Sequence, residues 1–467
     1  MLEFKPLFVA DTALLRSYYE HCPFRFCEYT AGIKLMWTSL RPAYAEAAGC
    51  LLVRFELDGE TFFDYPVAGA EGDEDAALTA LEQHWIEQGI APIFSVIPSE
   101  KLPHLLRRYP YARVSAPRLW QDYLYHAEDM QSFAGRRYSG QRNHINNFTR
   151  RYPTAHFRPL TAEDEDKLAI FWREFEEQFA KGDSKSAVKE LRLAEEFFNA
   201  HYADGHFLAG CMELDGRMIS VALGERCGET VIVHIEKAMQ EFEGIYPTMV
   251  REFARTFGGD ALWFNREDDA ANRGLRMSKL QYLPAEMGEK YHVELENELH
   301  HLREIPTLQT ERLTLRPFTD ADKPAYNAIC LDDERNRWWG YDYRTDLGDA
   351  PLTEDYFLSV TREDFRRHLA VNFAICLGER CIGEAVLYRF DHRGGAELGC
   401  RIVKSEAGSG YGTEAFTAVK NWALYKLGLR KVVAKCYHEN TASFRMLSSC
   451  MRKTGEDETF SYFETTV

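Results

Sequence analysis

The chain has 467 residues, 45% of them apolar and 28% charged, and carries a formal net charge of −17 at pH 7. This composition is typical of a globular protein of roughly two to four domains, and the acidic balance argues against a broad nucleic-acid-binding surface. The sequence lacks a run of about 18 apolar residues and a signal peptide, so we expect no integral membrane segment and a cytoplasmic location. Its 11 cysteines lack zinc-ligand spacing, so we also predict no metal site.

The first part of the chain alternates predicted strands and helices. Strands are expected around 51–65 and a helix around 75–88. A polar connector at 128–140 leads into a basic segment with helical spacing, 141–151, which suits either a phosphate-rich partner or an ordinary solvated helix face. Further elements are helices around 162–179, 186–203 and 247–257, and strands around 207–214, 218–225 and 230–235.

Polar motifs late in this first part resemble those of a known family. Asn-Arg-Glu-Asp-Asp at 265–269 and the stretch 274–284, with Arg142-Asn143 and the segment 234–237, resemble motifs of the phosphatidylglycerol lysyltransferase C-terminal domain. That domain is built from two tandem acetyltransferase-like folds, so the resemblance implies two such units, 1–135 and 136–297. It also implies a front-half cleft lined by Arg142, Asn143, His234, Glu236, Asn265, Glu267, Asp268, Arg276 and Lys279.

The residue types of this cleft suit an acyl or aminoacyl ligand. Arginine and lysine bind phosphate or carboxylate, acids bind an ammonium group, and histidine transfers protons. Membrane-bound members of the family move an aminoacyl group from a charged tRNA to a lipid headgroup. Helix capping, internal ion pairs and a hydrogen-bonded core histidine are the structural alternatives for the same residues.

A polar connector at 294–304 precedes the last part of the chain, whose glycine-rich loop is its most informative feature. A predicted strand at 396–403 leads through Gly-Ser-Gly-Tyr-Gly-Thr at 408–413 into a predicted helix at 414–426 and a strand at 431–437. Glycines allow close approach, and the N–H groups of a helix N-terminus attract phosphate. The dinucleotide and nucleotide triphosphate motifs are missing, so coenzyme A fits best.

These segments resemble the GCN5-related acetyltransferases, in the ribosomal-protein-alanine acetyltransferase-like branch. Thr310 to Pro317 resembles its first strand, Ile382-Gly383-Glu384 the turn into its third strand, and Glu397-Leu398-Gly399 its fourth strand. The resemblance covers 303–467 and implies acetyl-CoA, or another acyl-CoA, as the cofactor. It implies that the cofactor is bound by Gly408, Ser409, Gly410, Tyr411, Gly412, Thr413, Asn440 and Ser443.

The groups that transfer protons are less closely specified by this resemblance. Ala407 stands where the family usually has Gln or Arg, and Leu447 stands where many members have the tyrosine that protonates the departing thiolate. Glu397 and Glu384 are the candidate bases, since attack requires a neutral amine. The candidate acids are Tyr437, His438 and Ser443, of which we name Tyr437 as catalytic.

The sequence therefore predicts an α/β protein with mixed α+β sheets and three acyl-CoA N-acyltransferase-like units. The predicted reaction is acetyl transfer from acetyl-CoA to a primary amine of a small molecule, peptide or protein N-terminus. One alternative is an aminoacyl-tRNA-dependent aminoacyltransferase centred on the front half. Another is that the front half is a non-catalytic substrate-binding module.

Overall fold

The computed structural model describes residues 2–179 and 185–467 of the chain. The chain divides into two compact units. Glu294–Val467, with the short segments Trp85–Ile90 and His104–Arg113, forms the second unit, and the rest of the described chain forms the first.

The first sheet uses strands from the beginning of the chain. Its strands up to residue 115 are β1 (Lys5–Pro6), β2 (Ala43–Ala47), β3 (Cys50–Leu57), β4 (Glu60–Phe63), β5 (Val67–Ala68), β6 (Ile93–Pro98) and β7 (Ala112–Ser115). The helices in this region are α1 (Thr12–Tyr19), α2 (Ala31–Met36), α3 (Glu74–Gln88) and α4 (Leu102–Arg108). Strands β4 and β6 pair in parallel, and α3 lies in the crossover between them.

The second sheet follows in the chain and has the order β14-β8-β13-β12-β11-β10-β9. Its strands are β8 (Asp122–His126), β9 (His156–Pro159), β10 (Leu208–Leu214), β11 (Arg217–Cys227), β12 (Thr230–Ala238), β13 (Trp263–Asn265) and β14 (Glu286–Gly288). Its helices are α5 (Ala127–Ser132), α6 (Ser139–Arg151), α7 (Glu165–Phe179), α8 (Lys185–His201), α9 (Ile245–Phe257) and α10 (Arg273–Leu280). The next strand, β15 (Lys290–Leu295), joins the first sheet, whose order is β1-β2-β3-β4-β6-β15-β7 with β5 on β3.

The third sheet has eight strands in the order β16-β17-β18-β19-β20-β21-β23-β22. These are β16 (Leu308–Gln309), β17 (Thr314–Arg316), β18 (Ala370–Leu377), β19 (Arg380–Tyr388), β20 (Gly395–Ile402), β21 (Lys431–Tyr437), β22 (Arg452–Glu456) and β23 (Phe460–Thr466). The helices are α11 (Lys323–Cys330), α12 (Asp333–Asn336), α13 (Tyr356–Arg366), α14 (Tyr411–Trp422) and α15 (Thr441–Cys450).

Apolar side chains cover both faces of the third sheet. On one face, Leu398 of β20 and Ala434 of β21 share an apolar cluster with Phe416 of α14. On the other face, Phe357 of α13 packs in a second cluster with Cys376 of β18. Helices α14 and α15 therefore lie on one side of this sheet, and α11 and α13 lie on the other.

The three sheets confirm the predicted α/β class with mixed sheets. Each contains a parallel pair whose strands are joined by a crossover helix: β4 with β6, β12 with β13, and β20 with β21. A crossover of this kind places its helix on one face of the sheet. The three domain bounds given above stay predictions, because the compact units number two while the sheets number three.

Candidate functional site

The two central strands of the third sheet separate part of the way along their length. Strands β20 and β21 pair in parallel only from Gly395 to Glu397, opposite Lys431 to Val433. Beyond that point β20 stays paired with β19 as far as Ile402, and β21 stays paired with β23 as far as Tyr437. A cleft therefore opens between the two strands just past Glu397, with unpaired main-chain groups along both sides.

The glycine-rich loop lies beyond the end of β20 and leads into α14. Gly408 and Gly410 have φ angles of 81° and 82°, and Gly410 is the N-cap residue directly before α14, with no side chain capping the helix. Among the residues that the structure describes, none accepts a hydrogen bond from the N–H groups of 408–413. Because these donors and the helix dipole are open, the loop is suited to bind a phosphate group.

An ion-paired clamp holds this loop in place. Arg312 donates from Nε to Glu414 at 2.7 Å and from Nη1 to the carbonyl of Ser409 at 2.9 Å, and its guanidinium lies over the Tyr411 ring. Thr310 also donates to Glu414, at 2.6 Å. Burial acts in the opposite direction, but these hydrogen bonds hold the pKa of Glu414 below its usual value. The loop is thus ordered before any ligand arrives.

Asn440 and Ser443 lie together at the start of α15, where β21 ends. The Asn440 side chain accepts a hydrogen bond from the N–H of Ser443 at 3.1 Å and so caps the helix. Leu447, one helical turn further on, is buried in the apolar cluster beneath α14. Many members of the resembled family have a tyrosine at this position. Because Leu447 faces the core, this position of α15 offers no proton donor to the cleft.

A cavity adjoins the loop at Thr413. Its volume is about 800 Å³, and it lies along α14, the end of α15 and the end of β23. Hydroxyl and basic groups are prominent in its lining, which includes Thr413, Thr417, Lys420, Ser448, Ser449, Arg452 and Glu464.

Glu397 stands where the strands separate. Since Leu398 points to the α14 side, its neighbour Glu397 points to the side of α11 and α13. Its carboxylate accepts a hydrogen bond from the Tyr388 hydroxyl at 2.8 Å and lies 3.4 Å from Arg389. The carboxylate is thus positioned beside the cleft, with its side chain 11% exposed.

Glu384 has a different environment. Its side chain is fully buried and accepts hydrogen bonds from Tyr326 and Asn372, both at 2.7 Å. Its other oxygen pairs with the Arg401 guanidinium at 2.7 Å. This environment suits a carboxylate that positions Arg401, and it leaves no oxygen free to take a proton from a substrate.

Tyr437 ends β21 on the same face as Glu397, because its neighbour Cys436 points into the α14 cluster. Its ring contacts Trp338, with the ring centroids 5.8 Å apart, and Phe460 at 4.6 Å. The structure therefore brings two of the three predicted catalytic residues, Glu397 and Tyr437, to one side of the cleft.

In the first unit, the predicted cleft residues fall into several clusters. His234 is buried and bridges two carboxylates: Nδ1 lies 2.7 Å from Glu267, and Nε2 lies 2.9 Å from Glu225. Burial alone would lower its pKa, but the two carboxylates raise the pKa of His234 to about 9. Glu225 also accepts from the N–H of Gly32 and pairs with Arg16.

Sequence reasoning missed the second carboxylate and its neighbours. A Cβ atom on Gly32 would lie 2.4 Å from His234, so the glycine makes room for the imidazole. Glu225 lies on β11, the strand before that of His234, and no motif in the sequence marks it or Gly32.

Glu267 is held in an uncommon backbone conformation. Its φ is 57°, in the left-handed region, and its N–H donates to the Asn265 side chain at 2.6 Å. The Lys279 ammonium contacts the carbonyls on both sides of it, those of Arg266 and Asp268. Burial lowers the pKa of Lys279. Strain that is held by so many contacts is typical of functional positions.

The other predicted cleft residues pair locally. Arg266, which was not among them, is buried, donates to Glu236 at 3.1 Å, and lies over the Tyr282 ring. Arg276 pairs with Asp269 at 2.9 Å, and Asp268 accepts from the N–H of Ala270.

Arg142 and Asn143 lie on α6, apart from these pairs. Arg142 donates to the carbonyls of Phe133 and Gly135, and Asn143 is exposed. Arg142 therefore secures the start of α6, and the hydrogen bonds of the described chain do not connect it to the His234 cluster.

A buried cluster next to Asn265 also escaped sequence reasoning. Asn265 donates to Asp122 at 2.7 Å, and the buried Lys290 ammonium lies 2.7 Å from both Asp122 and Glu28. Cys27, Glu28 and Asp122 are close enough to share a metal ion. The Lys290 ammonium already takes the position of a cation among them.

The crossover helices of the other two sheets begin in closed surroundings. Gly244, at the start of α9, has a φ of 85°, like the glycines before α14, but a Cβ there would lie 2.5 Å from the carbonyl of His144 on α6. At α3, Asp73 accepts from the N–H of Ala76, and Glu74 and Asp75 add negative charge. Of the three crossover helices, α14 is the one whose N-terminus is open to an anion.

Two family models match the chain. One is described as "Phosphatidylglycerol lysyltransferase, C-terminal" and matches residues 24–294, and the other as "Acetyltransferase (GNAT) domain" and matches 312–450. The chain is similar to "Uncharacterized N-acetyltransferase YoaA" of Bacillus subtilis (strain 168), with 28% identity over 145 residues, or 31% of this chain and 80% of that protein. Both resemblances seen in the sequence are thereby confirmed.

The chain is also similar to solved structures, and one with a TM-score above 0.5 supports the fold. A conserved protein of unknown function from Bacteroides thetaiotaomicron VPI-5482 has a TM-score of 0.57 and 24% identity, covering 63% of this chain and 100% of its own. L-PGS from Bacillus licheniformis has a TM-score of 0.45 and 14% identity, covering 61% of this chain and 92% of its own. Among the described residues, no helix is long and apolar enough to span a membrane.

Proposed function

Since the chain belongs to the family of the phosphatidylglycerol lysyltransferase C-terminal domain and carries a GNAT acetyltransferase domain behind it, we propose that it transfers an acetyl group from acetyl-CoA to a primary amine. The GNAT domain makes the chain an acyltransferase. The observation that carries the finer proposal is the open N-terminus of α14, at the mouth of the cleft between β20 and β21.

The residues at this site fit coenzyme A. The free N–H groups of 408–413 would bind its pyrophosphate, and the unpaired edges of β20 and β21 would hold its pantetheine arm. Asn440 and Ser443 stand at the end of β21, where the arm would pass. The bound thioester supplies the activated acyl group.

We assign the proton transfers to the residues on the far side of the cleft. Glu397 is the base, directly or through a water molecule, because it lies beside the cleft and its side chain is 11% exposed. Tyr437 is the acid that protonates the departing thiolate, since it lies on the same face of the sheet as Glu397. Glu384 positions Arg401 and takes no proton. The acceptor is a small molecule, a peptide or a protein N-terminus.

Calorimetric titration of acetyl-CoA into the full chain tests this proposal. Gly410→Glu places a carboxylate and a side chain at the phosphate position, so we expect affinity to fall at least about a hundredfold. Gly378→Glu is the matched control, because Gly378 also has a positive φ but lies in the turn between β18 and β19, where an added Cβ meets nothing within 4 Å. Equal affinity of wild type and Gly410→Glu, or no binding by wild type, contradicts the proposal.

A second candidate, for the front half, is transfer that uses aminoacyl-tRNA. It is favoured by one observation: Arg136, Arg150 and Arg151 near and on α6 are exposed and make no ion pair within the described ranges. Clustered arginines bind phosphate backbones. The test is binding of uncharged tRNA by wild type and by the variant with all three arginines replaced by alanine, measured from about 50 to 200 mM salt. The slope of log affinity against log salt concentration should become shallower by up to about three units in the variant. If the slope of the variant equals that of wild type, the front half is better described as a module for a small ligand.

A further inference from the structure

A short aromatic segment after α12 crosses the cleft of the third sheet. The Trp339 ring lies against Gly399 of β20: an added Cβ at Gly399 would be 3.0 Å from ring atom Cη2. Next to it, Trp338 contacts the Tyr437 ring of β21. Gly399 and Tyr437 both lie past the point where the strands stop pairing, so this segment spans the gap between them.

The position of Trp339 is fixed by a buried arginine. The Arg401 guanidinium lies 4.5 Å from the Trp339 ring centroid and donates to Asn336, at the end of α12, at 2.7 Å. Glu384 holds the same guanidinium from below at 2.7 Å. Because Arg401 binds the Asn336 side chain and the ring together, the tryptophan has little freedom to move away from β20.

Trp339 stands on the side of the sheet opposite to the phosphate-binding loop. Leu398 points toward α14, which begins at that loop, so Gly399 points to the other side. A group that enters the gap from the α14 side therefore meets the indole ring where the gap reaches the opposite face of the sheet. Glu397 lies on the same face, two residues earlier along β20.

We propose that Trp339 is a specificity-determining residue that limits the acyl group of the donor to a short chain of about two or three carbons. The inference rests on the proposed function, since it places an acyl thioester between β20 and β21. Gly399 provides the space that the ring fills, and Arg401 and Glu384 act as positioning residues for the ring. A longer acyl chain would have to displace an indole that is held on two sides.

Titration of CoA, acetyl-CoA and hexanoyl-CoA into the full chain tests this without knowledge of the acceptor. We expect wild type to bind hexanoyl-CoA at least about tenfold more weakly than acetyl-CoA, which corresponds to about 1.4 kcal/mol. Trp339→Ala should bring the two affinities within about twofold while leaving the affinity for CoA unchanged. Trp339→Phe should keep part of the discrimination. Trp338→Ala, which removes the contact with Tyr437 of β21, should keep it all.

The outcomes separate the two proposals. If wild type binds none of the three ligands, the proposed function fails. If wild type binds CoA and acetyl-CoA but does not distinguish hexanoyl-CoA, or if Trp339→Ala keeps the wild-type ratio, the role of Trp339 is overturned. Should Trp339→Ala not fold, Gly399→Ala provides the second test, because its Cβ would lie 3.0 Å from the ring and displace it from β20. The ratio of the acetyl-CoA and hexanoyl-CoA affinities should then change, and an unchanged ratio overturns the role of Trp339.

Discussion

Two glutamates on neighbouring strands of the third sheet have different surroundings. Glu397 is 11% exposed and has one donor at each oxygen, the Tyr388 hydroxyl and Arg389 at 3.4 Å, whereas Glu384 is fully buried among Tyr326, Asn372 and Arg401. A carboxylate that is to accept a proton needs a lone pair facing the substrate. From the sequence, both residues are candidate bases, because each lies within a motif of the resembled family.

The buried Glu384–Arg401 pair leads to a stability prediction. Glu384→Gln leaves the Arg401 charge buried without its partner, so the unfolding free energy should fall by about 3–5 kcal/mol. Denaturant unfolding followed by fluorescence measures this. Glu406→Gln, which removes the partner of the exposed Arg380, is the control and should change stability little. A loss as small as that of the control would show that the pair is not structural.

His234 makes stability depend on pH in the alkaline range. Burial opposes protonation, but Glu225 and Glu267 raise the pKa of His234 from 6.5 to about 9, so the folded chain holds a proton that the unfolded chain releases. This contribution is complete below about pH 6.5 and is lost as the pH rises through 9. Unfolding free energies of wild type and His234→Gln, compared at several pH values, should converge as the pH rises toward 10. Curves that stay parallel would contradict the prediction.

Glu298 is an acid without partners in the second unit. It is 1% exposed, and neither carboxylate oxygen has a hydrogen-bond partner in the described chain. Burial, with repulsion from Asp391, raises the pKa of Glu298 from 4.5 to about 7. Its contribution to stability is therefore present below about pH 4.5 and is lost as the pH rises through 7.

Replacing this acid should stabilise the protein at alkaline pH. Glu298→Gln should raise the unfolding free energy by roughly 1–3 kcal/mol at pH 8, where the carboxylate is charged, and should have little effect at pH 5. Thermal unfolding at the two pH values measures the difference. An equal change at both would mean that ionisation of Glu298 is not responsible.

At the scale of elements, the loop before α14 depends on a strand that is distant in sequence. Arg312, just before β17, holds the loop through Ser409 and Glu414. The predicted motif from Thr310 to Pro317 contained this residue, but a pattern within one strand does not show which loop the strand will meet. Only the pairing of β17 with β18 brings it there.

Arg312→Ala should therefore weaken acetyl-CoA binding indirectly, by loosening the loop rather than by removing a contact with the ligand. Loss of a charge-assisted clamp leaves the loop less ordered, and we expect about a tenfold weaker affinity. Arg362→Ala, which removes an exposed pair with Asp320, is the matched control. Calorimetry on both variants makes the measurement, and equal affinities would argue against the clamp.

At the scale of the whole molecule, three sheets share one arrangement of a parallel strand pair and a crossover helix, but their helix N-termini differ. α14 is open, α9 is closed by α6 at Gly244, and α3 begins among acidic residues. A shared strand plan thus does not imply a shared ligand, because the ligand is set by the groups at the helix terminus and the cleft.

This difference predicts one acyl-CoA site per chain. Titration of the full chain should give a stoichiometry of about one, and Gly410→Glu should abolish it. A second site that survives Gly410→Glu would show that one of the front sheets also binds the cofactor despite its closed helix terminus.

The α/β class, both family resemblances and the order of the loop and helix around Gly410 can be predicted from the amino-acid sequence. These features are local: periodicity, glycine spacing and short motifs reflect the backbone conformation of the same residues. The predicted helices around 141–151 and 247–257 match α6 and α9 for the same reason.

Which of the predicted residues lie together depends on the tertiary structure. The fold joins His234 to Glu225 across two neighbouring strands, places Trp339 against Gly399, and encloses Glu384, the last two through contacts between elements far apart in the chain. Burial and pairing depend on which strands meet and which face each side chain takes, and a single sequence carries no local signal for either. The surroundings of each carboxylate, beside the cleft or enclosed, are therefore set by the fold around it.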